Sequence, residues 1–155
     1  LALKEMGRTT TARQRQARAL TWHELRQFVE REPKSLADLR DRALLAVAYD
    51  TLCRRQELVA LQVEDLERGA DGSGTILIRR SKTDATGEGS PAWLAPTTLK
   101  LVDDWLGYTA IRDGLLFRRI YASGHIGDRL SPDAVASIVK RVGRAIGLSE
   151  KDVAQ

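Results

Sequence analysis

The 155-residue sequence predicts a mainly α-helical domain with one small antiparallel β-sheet, an α+β fold. Three observations lead there. Apolar residues recur at helical spacing in segments that open on capping residues, the signature of amphipathic helices. One stretch, Thr75–Arg79 (Thr-Ile-Leu-Ile-Arg), is rich in β-branched residues and flanked by turn signals, as a strand should be. The length suits one ordinary domain, and a lone Cys53 excludes an internal disulfide framework.

The elements follow in order. Thr21 and Glu24 have capping-box spacing, so a helix is expected to start there, with Trp22, Leu25, Phe28 and Val29 on its apolar face and Pro33 ending it. Ser35 opens a second helix in which Leu36, Leu39, Ala43, Ala46 and Val47 recur. From Leu44 to Tyr49 this helix is apolar on all sides, which predicts a buried central helix. After a break near Thr51–Arg54 comes a short third helix, about Arg55–Leu61. The run Ala70–Gly74 is a turn before the Thr75–Arg79 strand. Lys82–Ser90 is polar, and Pro91–Ala95 is the expected return strand, making a hairpin with a long tip. Pro96 and Thr97 open a helix with Leu99, Val102, Trp105 and Leu106 inward and Asp103 and Asp104 outward. Gly114–Phe117 is expected to be extended and buried, and Arg118–Arg129 to form a loop. Ser131 and Pro132 stand at N-cap and N1 of the last helix, and Gly147 at its C-terminal cap. On that helix Val135, Ile138, Val139, Val142 and Ile146 share one face, and Ser137, Lys140, Arg141 and Arg144 the other.

Charge and chemistry narrow the function. The net charge is +4, and residues 1–20 carry all of it through Lys4, Arg8, Arg13, Arg15 and Arg18 against Glu5. Such an arm suits either a polyanion, through counterion release, or a solvated linker. The longest apolar run, Ala43–Tyr49, falls far short of the roughly 20 residues that span a bilayer. His23 and His125 stand about a hundred residues apart and Cys53 has no cysteine companion, so no metal constellation is expected. No phosphate loop of Walker type and no nucleophile elbow occurs. Cys53 reads as a small buried hydrophobe rather than a nucleophile. The start at Leu1, without a charged-then-apolar leader, leads us to expect a cytosolic fragment of a longer chain.

What remains is cations in particular settings. Arg54 follows the apolar helix, where a guanidinium at the edge of a core calls for a partner or an anion, and Glu57 stands three residues on to orient it. Lys82 lies beyond the strand, where an ammonium can reach a ligand. The plainer alternatives are a surface salt bridge for Arg54, solubility for Lys82, and a solvated face for Lys140, Arg141 and Arg144.

The stretch Leu39–Leu66, LRDRALLAVAYDTLCRRQELVALQVEDL, resembles the first catalytic box of the tyrosine recombinases, the phage integrase family. That box has a buried helix, an Arg-bearing turn, Glu-Leu three and four residues later, and a short helix ending in a hydrophobic-x-Asp-hydrophobic run. The segment TILIRRSKTDATGEG is similar to the family's strand and lysine-bearing hairpin, and the later order of elements agrees over most of residues 21–147. The resemblance implies the DNA breaking–rejoining fold, incomplete at its C-terminus, with residues 1–20 as a basic interdomain linker and 21–155 as a partial catalytic domain. It implies catalytic roles for Arg54 and Lys82, a supporting role for Glu57, and no cofactor or metal. It implies double-stranded DNA as partner, self-association on DNA in the full-length parent, neither a membrane nor a small-molecule substrate, and a bacterial, phage or mobile-element origin. Arg13, Arg15, Arg18, Lys140, Arg141 and Arg144 are the candidate phosphate contacts.

The sequence departs from the family in several places. The turn carries Leu52 where many members have Gly, His125 is followed three residues on by Asp128 rather than Arg, and no His-x-x-Arg box or later nucleophilic Tyr is present. Two other readings fit parts of the chain. One is a helix-turn-helix regulator reading DNA with Ser131–Ile146, and the other is a catalytically dead recombinase remnant.

Overall fold

The computed structural model describes residues 20–79 and 89–148. The elements run α1 (Trp22–Val29), α2 (Leu36–Thr51), α3 (Arg55–Val59), a 3-10 turn (Val63–Asp65), β1 (Leu66–Arg68), β2 (Gly74–Ile78), β3 (Ser90–Leu94), α4 (Pro96–Thr109) and α5 (Pro132–Ala145).

Local chemistry explains the boundaries. The Thr21 hydroxyl accepts the Glu24 amide at 3.2 Å while the Glu24 carboxylate accepts the Thr21 amide at 3.0 Å, the reciprocal cap the spacing predicts. α1 nevertheless ends at Val29, before Pro33 is reached, with Glu30 as its cap. Ser35 caps α2 and Ser131 caps α5. At the other end of α5, Gly147 is left-handed (φ 87°), and the amides of Leu148 and Gly147 return to the carbonyls of Gly143 and Arg144 at 2.9 and 3.1 Å. That pair of bonds satisfies carbonyls the helix itself leaves unbonded.

The sheet has three strands in the order β1-β2-β3, both pairs antiparallel, one strand more than the hairpin expected from sequence. Leu66 faces Ile76 and Arg68 faces Gly74; across the other edge Ile76 faces Ala92 and Ile78 faces Ser90. β1 has three residues, too few for alternation to show in a sequence. The Arg118–Arg129 segment is a loop, as expected, but a structured one. Ile120 and Ile126 pair, and the Arg119 amide donates to the Arg129 carbonyl at 2.7 Å, so the segment forms a narrow ribbon.

α2 is the axle of the molecule. Ala43, Leu44, Ala46 and Val47 are fully buried, and α1, β3 and α4 pack against it. Burial does not extend to its end: Ala48 is half-buried and Tyr49 exposed, its ring 5.3 Å from that of Trp22. Trp105 on α4 is wholly buried, and its indole Nε1 donates to the Leu116 carbonyl at 2.8 Å, fixing the extended stretch after α4. Among the described residues no helix is long and apolar enough to cross a membrane.

Replacing Trp105 with Phe removes the donor and leaves the Leu116 carbonyl unpaired in the core. We expect a loss of about 2–4 kcal/mol, the unsatisfied group plus the void, read as a lower midpoint in urea unfolding at unchanged slope.

Candidate functional site

The site begins where α2 stops. Its cap, Leu52, is left-handed (φ 53°, ψ 25°) and donates its amide to the Ala48 carbonyl at 2.9 Å. The Thr51 hydroxyl donates to the Val47 carbonyl at 2.8 Å and accepts the Cys53 amide at 3.4 Å. Asp50 reaches sideways: its Oδ2 accepts the Ala95 amide at 2.9 Å, at the N-cap of α4 directly after β3. Ala95 has no capping side chain of its own, so the Asp50 carboxylate also supplies negative charge to that helix end.

Two residues past Leu52, Arg54 is the N-cap of α3. Its amide donates to Glu57 Oε1 at 2.8 Å, and its carbonyl accepts the Leu58 amide at 2.8 Å. Glu57 therefore fixes the backbone from which the Arg54 side chain projects. Arg54 is exposed, so the burial cost anticipated for its guanidinium does not arise. Cys53 is half-buried against the core, between a strained residue and a cation.

Position 82 falls in the connection between β2 and β3. At the foot of that connection Arg79 makes a two-pronged pair with Asp65, Nε to Oδ2 at 3.0 Å and Nη2 to Oδ1 at 2.8 Å. Lys82 itself lies outside the described residues, as do Arg13, Arg15 and Arg18. The structure thus brings Arg54 and Glu57 together and leaves the Arg54–Lys82 relation open.

The basic side chains of α5 divide. Arg144 is exposed and Lys140 half-buried, whereas Arg141 turns toward α2 and pairs with Asp41 Oδ2. Asp41 has no exposed surface, and its other oxygen accepts Arg40 Nε at 2.9 Å. Arg40, 6% exposed, also donates from Nη1 to the Arg118 carbonyl at 3.2 Å, at the root of the ribbon. One buried carboxylate thereby serves two guanidiniums and joins α2, α5 and the ribbon. Burial holds both arginines below the ordinary arginine value, and for Arg141 repulsion by Arg40 adds to it.

Beside this group lies a cleft of about 620 Å³ whose lining includes Arg40, Arg119, Tyr121, Arg129, Ser131 and Arg141. The Arg119 guanidinium sits 4.5 Å over the Tyr121 ring, which stacks on His125. Sequence reasoning missed this cleft. Its arginines are scattered over three segments, and nothing in their spacing announces a common wall. Among the described residues no cluster of His, Cys, Asp or Glu could hold a metal ion.

Residues 18–154 match the phage integrase family. The chain belongs to that family. A 125-residue stretch is 30% identical to recombinase cre of Escherichia phage P1, covering 76% of this chain and 36% of that protein. A 126-residue stretch is 32% identical to an integrase/recombinase xerD homolog of Selenomonas ruminantium, covering 77% and 37%. The chain thus spans just over a third of the length of these two relatives. Among solved structures, XerH site-specific recombinase bound to difH substrate superposes with a TM-score of 0.63 at 23% identity, covering 84% of this chain and 37% of that one. XerA recombinase superposes at 0.61 and 20% identity, covering 85% and 43%. The fold of this integrase-family chain is that of a tyrosine recombinase catalytic domain, as its sequence implied.

The Asp41 arrangement has a measurable consequence. Asp41→Asn leaves two guanidiniums around a neutral amide and should cost about 3–5 kcal/mol in chemical denaturation. Arg141→Met, which removes a half-exposed charge, should cost less than half as much.

Proposed function

We propose that this chain is the part of a site-specific tyrosine recombinase that grips DNA and its scissile phosphate, within a catalytic domain beginning at residue 21 after a basic linker. The observation that carries the reading is the setting of Arg54. It is an exposed guanidinium on a helix N-cap, its backbone fixed by Glu57, in a chain of this family. The relatives are recombinases, and the XerH site-specific recombinase is bound to its difH substrate.

In this reading a tyrosine hydroxyl attacks a DNA phosphodiester, forming a 3′-phosphotyrosyl bond as the bond to the 5′-oxygen breaks. A partner strand's 5′-hydroxyl later reverses the step. Arg54 neutralises the non-bridging oxygens, where charge builds in the transition state; its planar fork suits a phosphate. Lys82 gives the departing 5′-oxygen its proton, a role worth typically 10²–10⁴-fold. Neither group replaces the nucleophile, so the 155-residue chain binds DNA but does not cleave it.

The DNA-facing surface extends beyond Arg54. Lys140 and Arg144 on α5 and the arm residues Arg13, Arg15 and Arg18 remain our candidate phosphate contacts. Arg119 and Arg129 join them, because they line a cationic cleft that takes Ser131, the cap of α5, into the same wall. Arg141 contributes less than its neighbours, since its guanidinium is committed to Asp41.

Two measurements test this. First, a nicked suicide duplex should yield no covalent adduct with the chain alone; an adduct would refute the assignment of roles. The product of the whole reading frame containing this sequence should form one, at a rate lowered at least about 10²-fold by Arg54→Ala. Second, a random-sequence duplex should bind with a salt dependence that Lys140→Ala and Arg144→Ala each flatten by roughly one unit of log–log slope, and Arg141→Ala by less. Equal slopes in all variants would return α5 to an ordinary solvated face.

A further inference from the structure

Two non-glycine residues in the described structure have positive φ, Leu52 (φ 53°) and Ala110 (φ 57°), and they are chemically matched. Each is the C-cap of a long helix, and each donates its amide at 2.9 Å to the carbonyl four residues back. Both conformations suit glycine and cost an L-residue roughly 1–2 kcal/mol. At the end of α4 the strained residue is alanine, small and exposed. At the end of α2 it is leucine, 82% exposed, two residues from Arg54. The position is therefore unfavourable twice, once for the backbone and once for the apolar side chain left in water. Glycine would serve the fold better on both counts. Strain combined with exposed apolar surface at the rim of a binding site points to a ligand contact.

The turn around it limits what Leu52 can touch. Thr51, Asp50 and Glu57 brace the chain on either side, so the backbone positions from which Leu52 and Arg54 project are fixed relative to one another. A phosphate gripped by Arg54 has a deoxyribose on each side, and the sugar's carbon face is the apolar surface next to it. We infer that Leu52 packs on the deoxyribose beside the phosphate held by Arg54, and that its strained cap is retained for that contact. The inference rests on the DNA-binding reading above.

Affinity for a random-sequence duplex, its salt dependence and thermal stability of this chain together test it. Leu52→Gly should raise the Tm by about 2 °C, strain relieved less the added chain entropy of glycine. It should weaken DNA binding about three- to tenfold at fixed salt, the scale of a partly buried leucine, with an unchanged log–log salt slope. Leu52→Asn, which tolerates the left-handed region, should lose a similar factor, and Leu52→Met should bind within about twofold of the parent. Ala110→Gly should raise the Tm with no change in binding. Undiminished binding by Leu52→Gly overturns the inference. So does a loss that comes with a flattened slope, which would mark a displaced cation, or a loss of self-association at constant DNA affinity, which would make the partner a second copy. If the parent chain binds no duplex at all, the DNA-binding reading falls first and takes this one with it.

Discussion

The constraint on which the molecule depends is that a helix buried on nearly all sides must still end at the surface. α2 carries the core, with Ala43, Leu44, Ala46 and Val47 sealed by α1, β3 and α4. Its small residues let those elements approach closely, while its last turn emerges at the surface. A left-handed cap reverses the direction in a single residue and satisfies its amide on Ala48. Two residues later the chain re-enters a helix, and the residue at that N-cap is Arg54. Placement of the guanidinium is a consequence of how the core helix is terminated. Asp50 makes the same junction rigid toward the sheet by taking the Ala95 amide. The end of β3 is thereby tied to the turn bearing Arg54.

The lower half of α2 solves a different problem. Arg40 and Asp41 lie among Leu39, Ala43 and Leu44, and isolated charges there would be prohibitive. Sharing Asp41 between Arg40 and Arg141 leaves an excess cation, and the Arg118 carbonyl takes one of its donors. An apolar replacement would serve stability at least as well. What the charged version adds is direction. It sets the ribbon root and the face of α5 at defined distances from α2, and those are the walls of the cationic cleft.

Most of the elements were legible because their signals are local. Capping at Thr21, Ser35 and Ser131, helical spacing in α2, α4 and α5, and the left-handed Gly147 depend on neighbours within one turn. The limits are equally physical. Pro33 was read as the terminator of α1, yet the helix stops at Val29, because a proline only bars continuation and does not require a helix to reach it. β1 escaped notice because three residues carry no period. Arg141 was grouped with Lys140 and Arg144 by spacing on a helical wheel, which cannot show that a carboxylate a hundred residues earlier lies beside it. For the same reason nothing in the expected Arg118–Arg129 loop marks Arg119 and Arg129 as sharing a wall with Arg141. The family resemblance supplied what spacing could not, a reason to single out Arg54 from its neighbour Arg55.

Arginine stands in three different settings here, told apart by burial and by what the side chain touches. Arg40 is sealed and spends its donors inside the protein, so it shapes the fold. Arg119 is exposed on its ribbon, its guanidinium oriented over the Tyr121 ring. Arg54 is exposed, with its backbone rather than its side chain fixed. On the proposed reading, Arg54 meets a phosphate whose geometry changes during reaction, and that combination would suit it: a fixed backbone origin, and a side chain that can follow the oxygens. Net charge records none of this. The described residues carry almost balanced charge once the basic arm is set aside, and cationic character arises where folding hides carboxylates such as Asp41 and leaves guanidiniums facing out.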